Sequence, residues 1–442
     1  MPSELWPHQK QALAFVDSKP AAMLAMAMGT GKTRVAVELL VRRGARRALV
    51  LCPRSVVSVW PAQVTRFSDL TALGLDAGPV AKRQEQAAAF RGNLVVINYD
   101  ACWRHPFKEW ALEQAWDALI CDESHRIKAP GGIASRFVAR LAKQVPFRLA
   151  LTGTPMPHSP LDVYAQYRVL DPEIFGTSYR RFQHVYAITR PMQGFEIVVG
   201  YKNQEELQRR FYQIAFRVES DVLNLPEPLH EARECQLSGA ASKLYKSLET
   251  DFYAQVEAGE ITAANAMVKA LRLQQLTSGF GKLIDSGEEV QIDTAKQSLL
   301  SDILEDLDEP VVVFCRFRHD LDTVHSVANR LQRATQEYPE SLELSGRVNN
   351  LAEWQAGQAP ILAVQIQAGG VGIDLTRARV AIYYSLGLSL GDHLQSQARL
   401  HRPGQTRTVV YYYLLAENTI DGKVFRALQE RKDVIDAILR RE

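Results

Sequence analysis

A glycine-rich loop that could hold a phosphate group lies near the amino terminus. Met28-Gly29-Thr30-Gly31-Lys32-Thr33 follows the apolar run Ala21–Met26 and precedes a helical pattern, Arg34–Val41. Glycines let main-chain N–H groups approach phosphate oxygens, and the N-terminus of a helix adds favourable partial charge. Lys32 can then reach the β- and γ-phosphates of a nucleotide, and the Thr33 hydroxyl can hold Mg²⁺. The alternative is a glycine turn that only caps the helix.

Two adjacent carboxylates end a second apolar run, Ala118–Cys121. Beside a phosphate loop, Asp122 can bind Mg²⁺ through water, and Glu123 can orient and deprotonate an attacking water. Two acids after a strand can also be a simple helix cap. The domain-sized interval after the phosphate loop favours the nucleotide site over the cap.

A third apolar run, Arg148–Thr152, leads into Gly153-Thr154-Pro155. The hydroxyls of Thr152 and Thr154 are placed to sense the γ-phosphate next to the carboxylates. The alternative is a threonine turn that ends a strand.

Gln395, Arg399 and Arg402 recur at i, i+4 and i+7, which is one face of a helix. Phosphoryl transfer spreads negative charge over the γ-phosphoryl oxygens, and an arginine supplied from another domain can stabilise it. Upstream, the glycine-rich segment 367–376 contains Gly372, Asp374 and Thr376, and it allows close approach of a main chain to nucleotide or nucleic-acid phosphate. The alternative for the two arginines is a row of surface salt bridges, and the alternative for the glycine-rich segment is a tight turn that leads into a helix.

Short, continuously apolar runs separated by helical patterns must position these residues. Such runs are typical of parallel strands buried on both faces, so each half of the chain is predicted to be an α/β domain. The predicted strands are Ala21–Met26, Ala48–Cys52, Leu94–Asn98, Ala118–Cys121, Arg148–Thr152, Val311–Cys315, Ile361–Gln365, Val380–Tyr384 and Val409–Leu415. Residues 156–290 carry helical spacing with few strand signals, broken by the candidate linker Leu225-Pro226-Glu227-Pro228.

Composition sets wide limits on function. The 442 residues allow two domains, and the net charge of +2 means that a nucleic-acid surface must be a local basic patch. The five cysteines include no C-x-x-C pair, which favours buried free thiols over a zinc site. No signal peptide or membrane-spanning run is evident, so we expect a cytoplasmic protein, or a nuclear one in a eukaryotic host.

Together these segments resemble the superfamily 2 helicase-like ATPases, and within them the SWI/SNF-like branch of double-stranded DNA translocases. Asp122-Glu123-Ser124-His125 looks like the DExH box, 151–155 like the third motif and 395–402 like the sixth. Leu5-Trp6-Pro7-His8-Gln9 and the Pro-x-Ser…Trp segment within Val50–Trp60 resemble motifs of the branch. Met26-Ala27, Pro157-His158 and Trp6 depart from the branch pattern, which leaves the exact subfamily open.

The resemblance implies two RecA-like parallel-sheet domains in tandem with helical insertions. We expect an ATP-binding lobe over residues 1–228, with a helical protrusion at 156–228, and a helicase lobe over 229–442, with a protrusion at 229–290. The implied cofactors are ATP and Mg²⁺, and the implied partner is double-stranded DNA, with single-stranded DNA and RNA as alternatives. We expect a monomer.

The resemblance also implies the roles of individual residues. The expected catalytic residues are Lys32, Asp122, Glu123, Gln395, Arg399 and Arg402, and the expected metal ligands are Thr33 and Asp122. The expected nucleotide contacts are Gln9, which would read the adenine edge, Met28, Gly29, Thr30, Gly31, Lys32, Thr33, Gly372 and Asp374. The expected nucleic-acid contacts are Arg54, Ser55, Tyr99, Arg316 and Thr376.

Two other functions stay open at this point. One is a strand-separating DNA or RNA helicase, since superfamily 2 includes both. The other is an ATP-gated clamp or scaffold on nucleic acid with little turnover, although the complete set of acids and bases argues against it.

Overall fold

The chain forms two compact units. The computed structural model describes residues 4–192, 195–257, 263–282, 288–331, 340–367 and 373–439. Unit 1 comprises Met1–Asn224 with Asp433–Glu442, and unit 2 comprises Leu225–Lys432. The break falls directly before the Leu225-Pro226-Glu227-Pro228 segment.

A parallel sheet forms the centre of unit 1. The strands of the unit are β1 (Ala21–Met26), β2 (Ala48–Cys52), β3 (Ala72–Leu75), β4 (Leu94–Asn98), β5 (Ala118–Asp122), β6 (Phe147–Thr152), β7 (Ala187–Met192), β8 (Phe195–Tyr201) and β9 (Ala215–Val218). Seven of them pair in the order β3-β4-β2-β5-β6-β1-β9, and every pair is parallel. Strands β7 and β8 form a separate antiparallel hairpin.

Alternate residues of these strands enter two different cores. Val50 and Cys52 belong to one cluster of buried apolar side chains, and Leu49 and Leu51 belong to another. Because successive strand residues point to opposite faces, both faces of the sheet are covered by helices. This explains why the strands appear in the sequence as unbroken apolar runs.

Helices cover the two faces of this sheet. The helices of unit 1 are α1 (Pro7–Val16), α2 (Lys32–Arg42), α3 (Val59–Phe67), α4 (Val80–Ala89), α5 (Tyr99–Cys102), α6 (Phe107–Glu113), α7 (Ile133–Ala142), α8 (Val163–Leu170), α9 (Pro172–Phe175), α10 (Tyr179–Tyr186) and α11 (Gln204–Phe211). Helices α1, α2 and α3 contribute to the first core, and α4, α6 and α7 contribute to the second.

Unit 2 repeats the parallel-sheet plan. Its strands are β10 (Leu229–Cys235), β11 (Phe280–Lys282), β12 (Glu289–Gln291), β13 (Val311–Cys315), β14 (Ser341–Leu344), β15 (Ile361–Gln365), β16 (Val380–Tyr383) and β17 (Val410–Ala416). Its helices are α12 (Gly239–Glu257), α13 (Ala263–Thr277), α14 (Ala295–Glu305), α15 (Arg318–Leu331), α16 (Leu351–Gln355), α17 (Leu390–Leu400) and the first part of α18 (Ile420–Leu439), whose residues after Lys432 belong to unit 1. The sheet order is β10-β17-β16-β13-β15-β14, all parallel.

All the strands predicted from apolar runs are confirmed, with ends that agree within one residue. The prediction of helical structure for 156–290 was wrong in part, because two strands of the main sheets lie in this segment. Strand β9 pairs with β1 in the unit 1 sheet, and β10 pairs with β17 in the unit 2 sheet. Strand β10 is an edge strand whose side chains are mostly exposed, so its sequence carries no apolar run. Strand β9 is only four residues long, and it forms because β1 offers its main-chain groups for pairing.

Four of the five cysteines match the expectation of buried free thiols. Cys52, Cys102, Cys121 and Cys315 are buried free thiols, and Cys235 is half-buried. Among the residues that the structure describes, no helix combines the length and the apolar character that crossing a bilayer requires.

A buried ion pair ties together the helical layer of unit 2. The Nζ of Lys296 lies 2.5 Å from Oδ2 of Asp421, and only 2% of the Lys296 side chain is exposed. The other carboxylate oxygen of Asp421 accepts a hydrogen bond from the Thr277 hydroxyl at 2.8 Å. The main-chain N–H of Ala416 donates to Oδ2. One carboxylate therefore connects α13, α14, β17 and α18.

We expect Lys296→Met to lower the free energy of unfolding by about 3–5 kcal/mol, because it leaves the Asp421 carboxylate buried without its cation. Urea unfolding followed by circular dichroism measures this change. The control is Lys423→Met, which removes the exposed ion pair with Glu249 and should cost less than about 1 kcal/mol. Equal effects of the two substitutions would contradict a structural role for the buried pair.

Candidate nucleotide site and its partner arginines

Three of the chemically suggestive segments meet at one edge of the unit 1 sheet. The phosphate loop follows β1, the Asp122–Glu123 pair ends β5, and the Thr152–Thr154 turn ends β6. These strands are neighbours in the order β5-β6-β1 and are parallel. Because the carboxyl ends of parallel strands lie at the same edge of a sheet, the structure brings these segments together.

The phosphate loop requires glycine at position 31. Gly31 has φ +81° and caps α2 in the left-handed conformation. A Cβ atom there would lie 2.2 Å from Nε2 of Gln9, so any side chain would collide with this amide. Gly29 also has a positive φ, of 79°. The loop is therefore shaped by backbone conformations that glycine adopts without strain.

The Lys32 side chain curls back over the loop. Its Nζ donates hydrogen bonds to the main-chain oxygens of Met26 at 2.8 Å and Ala27 at 3.2 Å. The Thr30 hydroxyl also donates to the Ala27 oxygen, at 2.7 Å. These contacts hold the ammonium group beside the N-terminus of α2, where a nucleotide phosphate would bind.

The amino-terminal helix is fastened to this loop. The Gln9 carbonyl oxygen accepts from the Trp6 N–H at 2.9 Å, and its Nε2 donates to the Thr30 oxygen at 3.2 Å. Nε2 of His8 lies 2.9 Å from the same oxygen. The structure thus brings Gln9 to the phosphate loop, with both ends of its amide engaged. Adenine recognition by Gln9 stays a prediction.

The carboxylate of Asp122 is buried and fixed from two sides. Nε1 of Trp60 donates to Oδ2 at 2.9 Å, and the main-chain N–H of Glu123 donates to Oδ1 at 3.0 Å. Burial and the neighbouring Glu123 carboxylate raise the pKa of Asp122, while the Trp60 hydrogen bond and the Lys32 charge act in the opposite direction. Positive charge near this position therefore favours the ionised form of the Asp122 carboxylate.

Glu123 adopts a strained backbone conformation and keeps one carboxylate oxygen without a hydrogen bond. Its φ is +49°, which is uncommon for a residue other than glycine. Its Oε2 is buried, makes no hydrogen bond and lies 3.4 Å from Nδ1 of His125. A buried carboxylate oxygen without a hydrogen bond, on a residue of uncommon backbone conformation, is typical of a functional site.

His125 connects Glu123 to the Thr152–Thr154 turn. Its Nδ1 also lies 3.3 Å from the Thr152 hydroxyl, which in turn accepts a hydrogen bond from the Thr154 N–H at 3.0 Å. This chain of contacts links the carboxylate to the end of the neighbouring strand. A movement of the Glu123 carboxylate can therefore be transmitted through His125 to the Thr152–Thr154 turn.

The donor set suits Mg²⁺ held together with a nucleotide. Among the described residues, no group of three or more His, Cys, Asp or Glu side chains could hold a metal ion alone. Mg²⁺ prefers one or two protein oxygens combined with substrate phosphates and waters. The Asp122 carboxylate and the Thr33 hydroxyl on α2 provide oxygens of this kind.

In unit 2, the predicted arginines lie on or directly after α17. Gln395 and Arg399 are buried within this helix, and Arg402 follows its end. The Arg402 guanidinium donates to the Ile373 main-chain oxygen at 3.0 Å. The main-chain oxygen of Arg399 accepts from the Leu375 N–H at 3.1 Å. The arginine motif therefore packs against the segment that follows β15.

Segment 373–378 is held by further hydrogen bonds. Oδ1 of Asp374 accepts from both the N–H and the hydroxyl of Thr376, and Asp374 itself is exposed. The Gln405 amide donates to the main-chain oxygens of Thr376 and Ala378. Gly372 lies outside the described residues, so its predicted nucleotide contact cannot be placed.

The predicted nucleic-acid contacts differ in accessibility. Arg54 and Ser55 are exposed on a short 3₁₀ helix, Arg54–Val56, directly after β2. The Tyr99 side chain is buried, and its hydroxyl donates to the main-chain oxygen of Asp122 at 2.7 Å. Its contact with nucleic acid stays a prediction. A tyrosine that begins a helix after a strand can turn into the core, and sequence gives no signal of this. Arg316 is half-buried and donates to the Gln274 side chain, and Thr376 is half-buried.

Two positioning residues were absent from the predicted set. Trp60 holds Asp122, and the only sequence signal for it was the Pro-x-Ser…Trp segment. Gln166 is fully buried and bonded to the Ser124 hydroxyl at 2.7 Å and to the Pro155 main-chain oxygen at 2.7 Å. A lone glutamine in a helical pattern has no recognisable spacing, so sequence could not identify it.

Comparison with known proteins places the chain in a family. Residues 8–279 match the model of the SNF2-related domain, and residues 295–404 match the helicase conserved C-terminal domain. The chain is 25% identical to protein p41 of Acyrthosiphon pisum secondary endosymbiont phage 1, over 93% of each chain. It is also 25% identical to the chromodomain-helicase-DNA-binding protein 1-like of Mus musculus, over 93% of this chain and 47% of that protein.

One solved structure is similar over nearly the full length. It is the Sulfolobus solfataricus SWI2/SNF2 ATPase core in complex with dsDNA, with 20% identity, a TM-score of 0.46 and coverage of 99% of this chain and 93% of that one. Apart from the phage protein, the chain spans less than half the length of the first curated relatives that it matches. The SNF2-related model covers more than half of the chain. The chain belongs to the SNF2-related family of superfamily 2 helicase-type ATPases.

Proposed function

We propose that this chain hydrolyses ATP with Mg²⁺ and uses the energy to translocate along double-stranded DNA. The observation that carries the proposal is the meeting of Lys32, Asp122 and Glu123 at the carboxyl ends of adjacent parallel strands. Phosphoryl transfer from ATP needs a phosphate-binding lysine, a metal-binding carboxylate and a group that orients water. All three are present at one edge of the unit 1 sheet.

Each residue has a defined task in this reaction. The loop N–H groups and Lys32 bind the β- and γ-phosphates, and Glu123 orients the attacking water and takes its proton. Thr33 and Asp122 would hold Mg²⁺, which would supply positive charge against the phosphate groups during transfer. His125 and Thr152 pass a change at Glu123 to the Thr154 turn.

Unit 2 contributes the arginines. Arg399 and Arg402 stabilise the charge that spreads over the γ-phosphoryl oxygens when the two units close around ATP. Since the arginines and Lys32 belong to different units, hydrolysis depends on closure. This dependence lets the chemical cycle drive movement along a track.

Duplex DNA is the proposed track. The mouse relative is named as a DNA-binding protein, and this chain aligns with 47% of its length. Positive charge also concentrates near the ends of β2 and β4. Burial and the nearby charges of Arg54 and Arg104 lower the pKa of Arg83, and the charge of Asp76 acts in the opposite direction. Such a cluster suits phosphate groups.

We expect duplex DNA to increase the rate of phosphate release from ATP more than single-stranded DNA or RNA does. Glu123→Gln should lower the turnover number by about 10²–10⁴-fold, because the water loses its proton acceptor. A coupled phosphate-release assay with the three nucleic acids measures both effects. The control is Glu109→Gln, which changes an exposed glutamate of the same unit and should leave turnover unchanged.

Other outcomes would identify a different activity. No stimulation by any nucleic acid, or an unchanged rate in Glu123→Gln, would favour an ATP-gated clamp. Displacement of a strand from a forked duplex, without displacement of a third strand from a triplex, would favour a strand-separating helicase. Binding to duplex DNA should weaken steeply as salt rises, because phosphate contacts release counterions.

We expect Arg399→Lys to lower the DNA-stimulated turnover number by about 10³-fold or more, since lysine lacks the planar fork that binds two phosphate oxygens. The affinity for ATP should change far less, because the contact is made in the closed transition state. Steady-state kinetics distinguish an effect on the turnover number from an effect on ATP affinity. The control is Arg407→Ala, which removes an exposed arginine of the same unit that pairs with Glu309 and should leave turnover unchanged. A rise in the KM of Arg399→Lys without a fall in its turnover number would contradict the proposed role.

A further inference from the structure

Trp60 makes the only described side-chain hydrogen bond to the Asp122 carboxylate. Its side chain is fully buried, and its Nε1–H group donates to Oδ2 of Asp122 at 2.9 Å. Tryptophan has a single polar atom, which only donates. A buried indole aimed at a carboxylate oxygen fixes the direction of that carboxylate without competing for a cation.

The helix that carries Trp60, α3, packs against α2 and β3. Trp60 and Val64 pack in the first core together with α1 and α2. A methyl group at Gly74 on β3 would lie 2.8 Å from the main-chain oxygen of Val57, so β3 packs directly against the turn before α3. The position of the indole is therefore set by close packing rather than by a flexible loop.

The same helix also contacts α2, the helix that carries Thr33. At the end of α3, the Arg34 guanidinium lies 4.3 Å from the centre of the Phe67 ring and donates to the Phe67 main-chain oxygen at 3.4 Å. Arg34 directly follows Thr33 in α2. Helix α3 thus touches the carboxylate through Trp60 and the hydroxyl-bearing helix through Phe67.

The segment preceding α3 reaches the surface. Arg54 and Ser55 are exposed on the 3₁₀ helix Arg54–Val56, and Val57 then enters the core. Fewer than ten residues separate the exposed pair from Trp60. A displacement of this segment by a bound phosphate backbone would therefore move a helix that contacts both metal-side elements.

We infer that Trp60 is a positioning residue that orients Asp122 toward Mg²⁺-bound nucleotide, and that α3 transmits the occupancy of the Arg54–Ser55 surface to that carboxylate. The inference rests on the proposed function and deepens it, because it names a physical route by which DNA stimulates ATP hydrolysis. Outer hydrogen-bond partners of metal ligands commonly change metal affinity by 10–100-fold when they are removed. The effect should therefore appear in metal-dependent binding, not only in turnover.

The first experiment compares Trp60→Phe with the wild type in binding of the non-hydrolysable analogue AMP-PNP, with Mg²⁺ and with EDTA. We expect Mg²⁺ to tighten binding in the wild type and this gain to fall about tenfold in Trp60→Phe, with metal-free affinity unchanged within about twofold. Calorimetry gives each dissociation constant. A general loss of structure would weaken binding in both conditions and leave the ratio unchanged.

Trp116→Phe is the matched control. Trp116 is also buried in unit 1, and its Nε1 donates to the main-chain oxygen of Ala111 at 2.8 Å, away from the proposed site. Its removal should leave the gain from Mg²⁺ at the wild-type value. An unchanged gain in Trp60→Phe, with a clear gain in the wild type, overturns the inference alone. No gain in the wild type overturns the proposed function as well.

A measurement on the wild type keeps the inference testable if Trp60→Phe does not fold. The chain has six tryptophans, so its indole N–H signals can be assigned in ¹⁵N-labelled protein by Trp→Phe changes at the other positions. The Trp60 signal should shift when AMP-PNP is added with Mg²⁺ and remain nearly unchanged when it is added with EDTA. Equal shifts in the two conditions overturn the role toward the metal ligand.

The role of α3 in transmission is tested by adding duplex DNA. If DNA bound at the Arg54–Ser55 surface orients Asp122 through α3, duplex DNA should tighten Mg²⁺-AMP-PNP binding in the wild type and in Trp116→Phe, and Mg²⁺-AMP-PNP should tighten DNA binding by the same factor. This tightening should fall severalfold in Trp60→Phe. If it persists in full, transmission through Trp60 is overturned even where the positioning role holds.

Discussion

Parallel pairing of β5, β6 and β1 is the constraint on which the candidate site depends. The three strands contribute the carboxylates, the threonine turn and the phosphate loop, and these segments are far apart in sequence. Only parallel hydrogen bonding places all three carboxyl ends at one edge of the sheet. The residues that could bind phosphate, metal and water thus come together through main-chain pairing, and the two apolar cores that cover the sheet keep this pairing dry.

The polar groups at this edge form two connected systems. Asp122 is oriented by Trp60 and supported at its main chain by Tyr99, whereas Glu123 faces His125 and, through it, the Thr152 turn. The first system suits a fixed metal ligand, because its donors come from closely packed elements. The second suits a group that changes state, because the carboxylate oxygen has no hydrogen bond and its backbone is strained.

In unit 2, hydrogen bonds also connect the predicted motifs to one another. The segment that follows β15 and the end of α17 are joined by main-chain and side-chain hydrogen bonds, so Arg402 and Asp374 belong to one structural feature. Buried ionic and polar contacts, such as the one between Lys296 and Asp421, bind the surrounding helices. Hydrogen bonds of this kind restrict the orientation of Arg402, and stabilisation of a transferring phosphoryl group requires oriented charges.

The sequence by itself determined the fold class, the position of most central strands and the residues of the phosphate loop. Short continuous apolar runs are typical of strands buried on both faces, and a glycine loop between a strand and a helix is typical of a phosphate site. Tertiary structure alone decided the rest. The edge strands β9 and β10 form by pairing with distant strands, Tyr99 turns inward, and Trp60 and Gln166 meet partners some forty to sixty positions away. Local sequence cannot encode these contacts, because each depends on which surface the rest of the chain places opposite.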